Sequence, residues 1–477
     1  MPRFRLKIHH GIKWASLSQI SRQGVQFVSF VVLAAILGPV DVGSYAMAMV
    51  VVGFATMFRD FGVNALIISE PSLSPELFSA AYWVNLGIGS VIALCVFASS
   101  FVAGWIYGNS DVGSVIRVLA LTCIAGGVSV IHQALLERNF RFKELAIIEI
   151  GSALSGAVVA LAMAYRGYGV WALVAQQLVT VTVNSFLLMR VSPGELKGPP
   201  DLANIRRVLN YGKSITGFSL ANFCIRNGDN FLIGRFVGAE ALGAYSLAYK
   251  LMMVPLQTVS SIVCRISFPE LSRLQEHNEA LKARYLLLTE QIAVLAFPIM
   301  AGLAIYSDFL ISTFFGAKWS DTPRLLIILA AAGAVQTTIF PVGQLYLIKG
   351  RPGLMFRVTA IMSVITVLAF VAGIPWGALG VAIGYVLVTL LTAPFEIHYP
   401  GALIGVRVLD VFATIARPAL NTCLAAFFGL LVMRGMSGMP KMLTFAVSFA
   451  AFSSVYVLTT FFGPRLGGGT IWNGRNR

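Results

Sequence analysis

The chain has 477 residues, 57% of them apolar and only 12% charged, with a formal net charge of +15. A soluble globular chain carries about a quarter charged residues, so that class is excluded, and apolar runs of roughly twenty residues from end to end predict an all-α polytopic membrane protein. The Lys and Arg residues sit in short loops between those runs, which points to topology determinants and anionic lipid rather than nucleic acid.

The predicted spans, in chain order, are 11–36, 43–68, 79–107, 113–136, 144–165, 169–190, 208–236, 241–267, 286–312, 323–347, 355–375, 377–398, 405–433 and 440–462, about 14 transmembrane helices in all. Before the first lies a basic stretch with Arg3, Arg5 and Lys7 and no small-residue cleavage site, so the first run is expected to be a retained helix and not a signal peptide. Basic residues alternate between the two sides. One side collects Arg138, Arg141 and Lys143, then Arg206 and Arg207, Arg273, Lys282 and Arg284, and Lys349 with Arg351; the other holds little beyond Arg166, Lys318, Arg324, Arg434 and Lys441. The positive-inside rule then puts both termini in the cytoplasm.

The first span carries Gln19, Arg22, Gln23 and Gln26 at i, i+3, i+4, i+7, one helix face. Arg22 lies about 16 Å into that span, near the midplane. The second span contains Arg59 and Asp60, adjacent and so pointing apart. The seventh carries Ser219, Asn222, Arg226, Asp229 and Asn230 on one face, and the eighth has Lys250 about three turns in. A charge at mid-bilayer costs about 2.5–3.5 kcal/mol on insertion scales, so such residues face a cavity or a partner. For Arg226 and Asp229 an i, i+3 ion pair and a cavity lining both stand; Arg22 has no acid within a turn. His132 reads as a satisfied polar residue near a helix end. Pro255, Pro298, Pro341 and Pro418 are expected to kink their helices. Charged and helically periodic, 269–285 predicts either a short amphipathic cytoplasmic helix or a solvated loop.

The chain repeats itself. Leu37-Gly38-Pro39-Val40-Asp41-Val42-Gly43-Ser44-Tyr45 returns as Val237-Gly238-Ala239-Glu240-Ala241-Leu242-Gly243-Ala244-Tyr245, at a spacing of about 200 residues, too long for a solenoid. Tyr107-Gly108 matches Phe315-Gly316, Gln133 matches Gln344, and Gly169-Val170 matches Gly380-Val381. Two pseudo-symmetric six-helix lobes plus two extra C-terminal helices follow: an N-lobe over 1–191, a cytoplasmic linker over 192–207, a C-lobe over 208–398, and spans 13–14 with the tail over 399–477. Polar stripes at matching depth in the two copies predict a hydrophilic cavity between the lobes.

Cys95, Cys123, Cys224, Cys264 and Cys423 lie in apolar stretches with no metal-ligand or CxxC spacing, and read as small buried hydrophobes. No hydrolytic triad or Walker loop appears, and Gly467-Gly468-Gly469 lacks the context of a P-loop. The protein is expected not to be an enzyme and to need no metal or other cofactor.

Five segments carry a resemblance: Leu37-Gly38 through Tyr45; Phe58-Arg59-Asp60-Phe61-Gly62-Val63; Phe78-Ser79-Ala80-Ala81-Tyr82-Trp83-Val84-Asn85-Leu86; Asp229-Asn230-Phe231-Leu232-Ile233-Gly234-Arg235; and Phe268-Pro269-Glu270-Leu271-Ser272. In their order and spacing the chain resembles the Wzx-type polysaccharide and O-antigen flippases of the multidrug/oligosaccharidyl-lipid/polysaccharide exporter superfamily, in the exopolysaccharide and colanic-acid branch. The resemblance implies alternating access in the bacterial inner membrane, with undecaprenyl-diphosphate-linked oligosaccharide as cargo and glycan polymerase and co-polymerase proteins as partners. On that footing Arg22, Arg226, Lys250 and Arg59 would hold the diphosphate, because guanidinium groups bind phosphate oxygens in bidentate fashion. Gln19, Gln26, Asn222 and Asn230 would face the sugars. Asp60 and Asp229 would carry a coupling proton or sodium ion. Alternatives are a multidrug exporter or a lipid II exporter of the same superfamily, and, from another class, a membrane glycan polymerase. The polymerase reading suffers from the lack of a long outward loop.

Overall fold

The computed structural model describes residues 21–58, 63–70, 74–192, 204–206, 208, 227–436 and 438–462, and no strand occurs among them. The chain divides into two compact units, Met1–Ser246 and Leu247–Arg477. The first contains α1 (Ser21–Ile36), α2 (Pro39–Thr56), α3 (Val63–Ser69), α4 (Pro75–Tyr107), α5 (Ser110–Leu119), α6 (Leu121–Arg138), α7 (Phe142–Tyr165) and α8 (Val170–Val191). It ends with α9 (227–236) and the opening turns of α10 (Ala239–Arg273). The second holds the rest of α10 with α11 (Asn278–Ile305), α12 (Ser307–Phe314), α13 (Thr322–Ile339), α14 (Val342–Ile348), α15 (Pro352–Gly373), α16 (Gly377–Ala402), α17 (Val408–Gly435) and α18 (Lys441–Phe461).

Among the described residues, ten helical segments are long and apolar enough to cross a membrane. Two agree closely with single predicted spans although the helix tightens within them: Ser110–Arg138 at Ala120, and Thr322–Ile348 at Pro341. One segment, Pro352–Ala402, runs for 51 residues, about 75 Å if straight, more than twice a bilayer core. It is instead the hairpin of α15 and α16, folded at a 3-10 turn over Ile374–Trp376.

Within the first unit, α4 and α6 cross on small residues. A Cβ on Gly89 would sit 3.0 Å from the Cys123 carbonyl oxygen, and one on Gly127 3.0 Å from that of Asn85. Asn85, fully buried, donates its side-chain amide to the Gly127 carbonyl at 2.7 Å. Lipid gives helices no hydrophobic reason to associate, so close backbone approach and an interhelical hydrogen bond do that work. The Arg138 guanidinium donates to the Ile67 and Glu70 carbonyls and so satisfies the C-terminal end of α3. His132 is indeed satisfied near a helix end: its Nδ1 lies 2.6 Å from the Ser192 carbonyl oxygen.

In the second unit, Leu271, Leu281, Tyr285, Leu288 and Ile292 of α10 and α11 form a core with Leu345, Tyr346, Ile397 and Val411. Pro298 lies inside α11. Lacking an N–H, it cannot bond the carbonyl of Val294 four residues earlier. Tyr456 of α18 donates its hydroxyl to that carbonyl at 2.6 Å. Two further contacts seat the same helix: Tyr306 with Ser448 at 3.0 Å, and the stacked rings of Phe309 and Phe445, 4.2 Å apart.

Two expectations change. No separate amphipathic helix occupies 269–285: α10 runs on to Arg273 and α11 begins at Asn278. Leu271 and Leu281 are drawn into the core, while Arg284 pairs with Glu270 at 2.7 Å. The periodicity that suggested an amphipathic helix is thus that of two long helix ends meeting. Cys123 and Cys264 are buried as expected, but Cys95 and Cys423 are exposed. Leu94, Phe97 and Phe101 beside Cys95 are exposed too, the surface a lipid-facing helix presents. Cys224 lies outside the described residues.

Candidate functional site

Of the residues nominated from sequence, Arg22, Gln26, Asp229, Asn230 and Lys250 are described; Gln19, Arg59, Asp60, Asn222 and Arg226 lie outside the described residues. Outside too are most of the 192–207 linker and the Gly467–Gly469 tail.

The structure gives α1 two ends of different character. Its later turns pack inward through Ser29, Phe30, Leu33, Ala34 and Leu37, whereas Gln23 and Gln26 are exposed near its start. Arg22 reaches α7, where its Nε lies 3.9 Å from Oε2 of Glu149. The Glu149 side chain is 15% exposed and that of Arg22 43%, so the pair leaves much of the guanidinium open. Polar contacts continue between the neighbouring helices. Gln176 of α8 donates to the Ser29 hydroxyl at 2.7 Å, and Asn184 of α8 donates to that of Ser152 on α7 at 3.3 Å. These bonds tie α8 to α1 and to α7. The chemistry on offer at Arg22 is that of a cation with part of its guanidinium open, suited to anionic oxygens.

Asp229 sits near the start of α9 and is buried. One carboxylate oxygen accepts the Tyr245 hydroxyl at 2.9 Å and the other accepts the Asn230 backbone N–H at 2.7 Å. Tyr245 is the tyrosine of the second repeat copy and is fully buried. A carboxylate so held can take up a proton or offer oxygens to a small cation. Asn230, half-buried, is the next residue on the helix.

Lys250 belongs to the second unit, where it is half-buried on α10. Beside it in sequence, Tyr249 meets Tyr385 of α16 at 6.3 Å between ring centres. The Tyr385 hydroxyl in turn accepts from the Gln336 side chain of α13.

Sequence reasoning missed four of these side chains. Glu149 gives no local sign of its role, because its partner is 127 residues away and no spacing announces it. The hydrogen bond of Tyr245 to Asp229 joins two different helices. Gln336 with Tyr385 left one weak sign, a lone amide in an apolar run.

A family model described as polysaccharide biosynthesis protein matches residues 32–323. The teichuronic acid biosynthesis protein TuaB of Bacillus subtilis (strain 168) is 28% identical over 471 residues, covering 96% of each chain. The lipopolysaccharide biosynthesis protein WzxC of Escherichia coli (strain K12) is 27% identical over 394 residues, 81% of this chain and 79% of the relative. Among solved structures, the lipid II flippase MurJ in its inward closed conformation superposes with a TM-score of 0.76 at 12% identity, over 94% of this chain and 98% of its own. An inward-facing multidrug resistance MATE transporter gives 0.61 at 12% identity, over 80% and 98%. The resemblance read from the sequence segments is borne out, and the fold is that of MurJ and the MATE transporters.

Proposed function

The chain belongs to the polysaccharide biosynthesis protein family, and from that premise we propose that it is a flippase for lipid-linked oligosaccharide. Its cargo is an undecaprenyl-diphosphate-linked repeat unit, carried across the inner membrane by alternating access for exopolysaccharide or lipopolysaccharide assembly. The observation that carries this reading is the pair of biosynthesis relatives, one matched over 96% of both chains and the other carrying the name WzxC. The fold alone does not choose, since a lipid II flippase and a drug transporter share it.

The physics of the cargo fits the residues. A glycan headgroup in hydrocarbon loses its bonds to water at several kcal/mol for each unpaired group, and a polar chamber substitutes for them. In our reading fourteen helices form two six-helix lobes and a C-terminal pair, with both termini cytoplasmic. Arg22 and Arg226, with Lys250 and Arg59, hold the diphosphate. Gln19, Gln26, Asn222 and Asn230 bond the sugars. Asp229 and Asp60 take a proton or sodium ion whose gradient drives the cycle, and a glycan polymerase with its co-polymerase receives the product. The protein performs no covalent chemistry.

Deletion of the gene tests the reading. Surface polysaccharide should fall at least tenfold while lipid-linked repeat units accumulate on the cytoplasmic leaflet, and the gene in trans should reverse both. Normal polymer with changed drug resistance would sink the proposal and favour a multidrug exporter.

A further inference from the structure

Among the described residues, Phe140 is the one non-glycine residue at positive φ, 55°. It follows the end of α6. Its N–H bonds the Glu137 carbonyl at 3.1 Å, and the Arg141 N–H bonds that of Leu136 at 2.9 Å, the paired bonds that close a helix on a left-handed residue. The end of α14 repeats them: the Gly350 N–H bonds the Leu347 carbonyl at 3.1 Å and the Arg351 N–H that of Tyr346 at 2.8 Å, with Gly350 at φ 62°. Glycine takes that conformation without penalty, whereas a bulky side chain is strained in it. One kind of helix end thus carries a glycine in the second unit and a strained phenylalanine in the first. A retained outlier of this kind points to a use for its side chain.

The Phe140 ring is 48% exposed and meets that of Phe142, the first residue of α7, edge-on at 6.2 Å. Lys143 is exposed and opens a stripe along α7 with Ile147, Leu154 and Val158 at i+4, i+11 and i+15. Those three apolar side chains are exposed as well. They lie on the far side of α7 from Glu149, so this is the face that lipid covers. The neighbouring end of α8 matches it. Phe186 and Met189 are exposed, and the Arg190 guanidinium sits 5.1 Å from the centre of the Phe186 ring. Arg141 joins the two helix ends by donating to the Val191 carbonyl at 3.3 Å, and Glu144 balances its charge. Lys143 and Arg190 add two further cations at these ends.

We propose that the joined ends of α7 and α8 form a docking site for an anionic phospholipid, its phosphate on Lys143 and Arg190 and an acyl chain along the Ile147, Leu154 and Val158 stripe. On the orientation implied by the basic loops, the lipid belongs to the cytoplasmic leaflet. Charge selects the partner. An apolar stripe accepts any acyl chain, but two cations at its end favour a headgroup with net negative charge over a zwitterionic one. Phe140 adds apolar surface beside those cations, at the boundary between chain and headgroup, where glycine would offer none. The strain at its backbone is the cost of placing a ring there. Such a lipid binds whatever the cargo is, since this face of α7 is turned away from Arg22 and its partner Glu149.

The test uses the full chain in neutral detergent, titrated with phosphatidylglycerol while the midpoint of thermal unfolding is read. The midpoint should rise with phosphatidylglycerol and stay level with phosphatidylcholine or inorganic phosphate. Lys143→Gln and Arg190→Gln should each raise the half-saturating concentration about fivefold, the effect of one basic side chain beside anionic lipid. Arg351→Gln, at the matching end of α14, should leave it unchanged. Phe140→Gly should raise the midpoint without lipid, because the strain is gone, and at least halve the further rise that phosphatidylglycerol gives. Unchanged titrations in both glutamine variants overturn the proposal, and so does an equal shift with Arg351→Gln. An equal rise with phosphatidylcholine reduces the site to an unselective apolar stripe, and an equal rise with inorganic phosphate reduces it to an ion site; either result overturns the proposal. A lower lipid-free midpoint for Phe140→Gly would mean that packing within the protein holds the ring, and would overturn its part in the site.

Discussion

Arg22 has one side toward Glu149 and the rest of its guanidinium open. A half-exposed ion pair contributes about 1 kcal/mol or less, so the pair does more to aim the guanidinium than to hold α1 on α7. Aiming and binding can be separated by exchange of charge. Arg22→Glu or Glu149→Arg alone sets like charges together, and both should lower membrane abundance and reduce surface polymer at least tenfold. The double exchange should restore abundance, measured by immunoblot of membranes, without restoring polymer, because under the proposed function a carboxylate at 22 would then face the diphosphate. Full recovery of polymer by the double exchange would confine Arg22 to a structural role. Only half of this site was legible in the sequence. The i, i+3, i+4, i+7 spacing gives the polar face of α1 directly, since neighbours along a helix lie close in the chain. The acid that meets Arg22 comes from another helix, and only folding brings it there.

The helices themselves were more legible than their surroundings. Apolar length and Gly or Pro punctuation locate α4, α7, α8, α17 and α18 to within a few residues. Which side of a helix meets lipid and which meets protein was not legible, as Cys95 and Cys423 demonstrate. Both surroundings are apolar, so composition cannot separate them. Charge misled at 269–285 for the converse reason: two helices extending beyond the apolar run look like an independent amphipathic segment. Pro298 supplies an energetic test of how one element leans on another. Tyr456→Phe leaves the Val294 carbonyl without its donor, which should cost about 1–2 kcal/mol and lower the midpoint of thermal unfolding in detergent. Pro298→Ala restores the backbone N–H, so in that background the same tyrosine change should cost less than half as much. Equal costs in the two backgrounds would mean that the hydroxyl and the proline are not coupled.

For the whole molecule, the repeat is its most economical description. Gly108 and Gly316 follow helix ends at positive φ, 63° and 81°, and they are equivalent positions in the two copies. In the proposed arrangement of two six-span halves, which share an orientation, both positions should lie on one side of the membrane and Phe140 and Gly350 on the other. Alkaline phosphatase fused after Asn109 or Lys318 should be active, whereas fusions after Phe140 or Gly350 should be inactive and fluoresce when the reporter is a green fluorescent protein. Opposite results for Asn109 and Lys318 would break the parallel arrangement. The repeat does not extend to α17 and α18, yet the second of these helices supplies the donor to the Val294 carbonyl. The last helix and the proline inside α11 are thereby bound into one inheritable unit. Descendants that shed the last helix should also have replaced the proline, and those that keep the proline should keep a hydroxyl able to reach it.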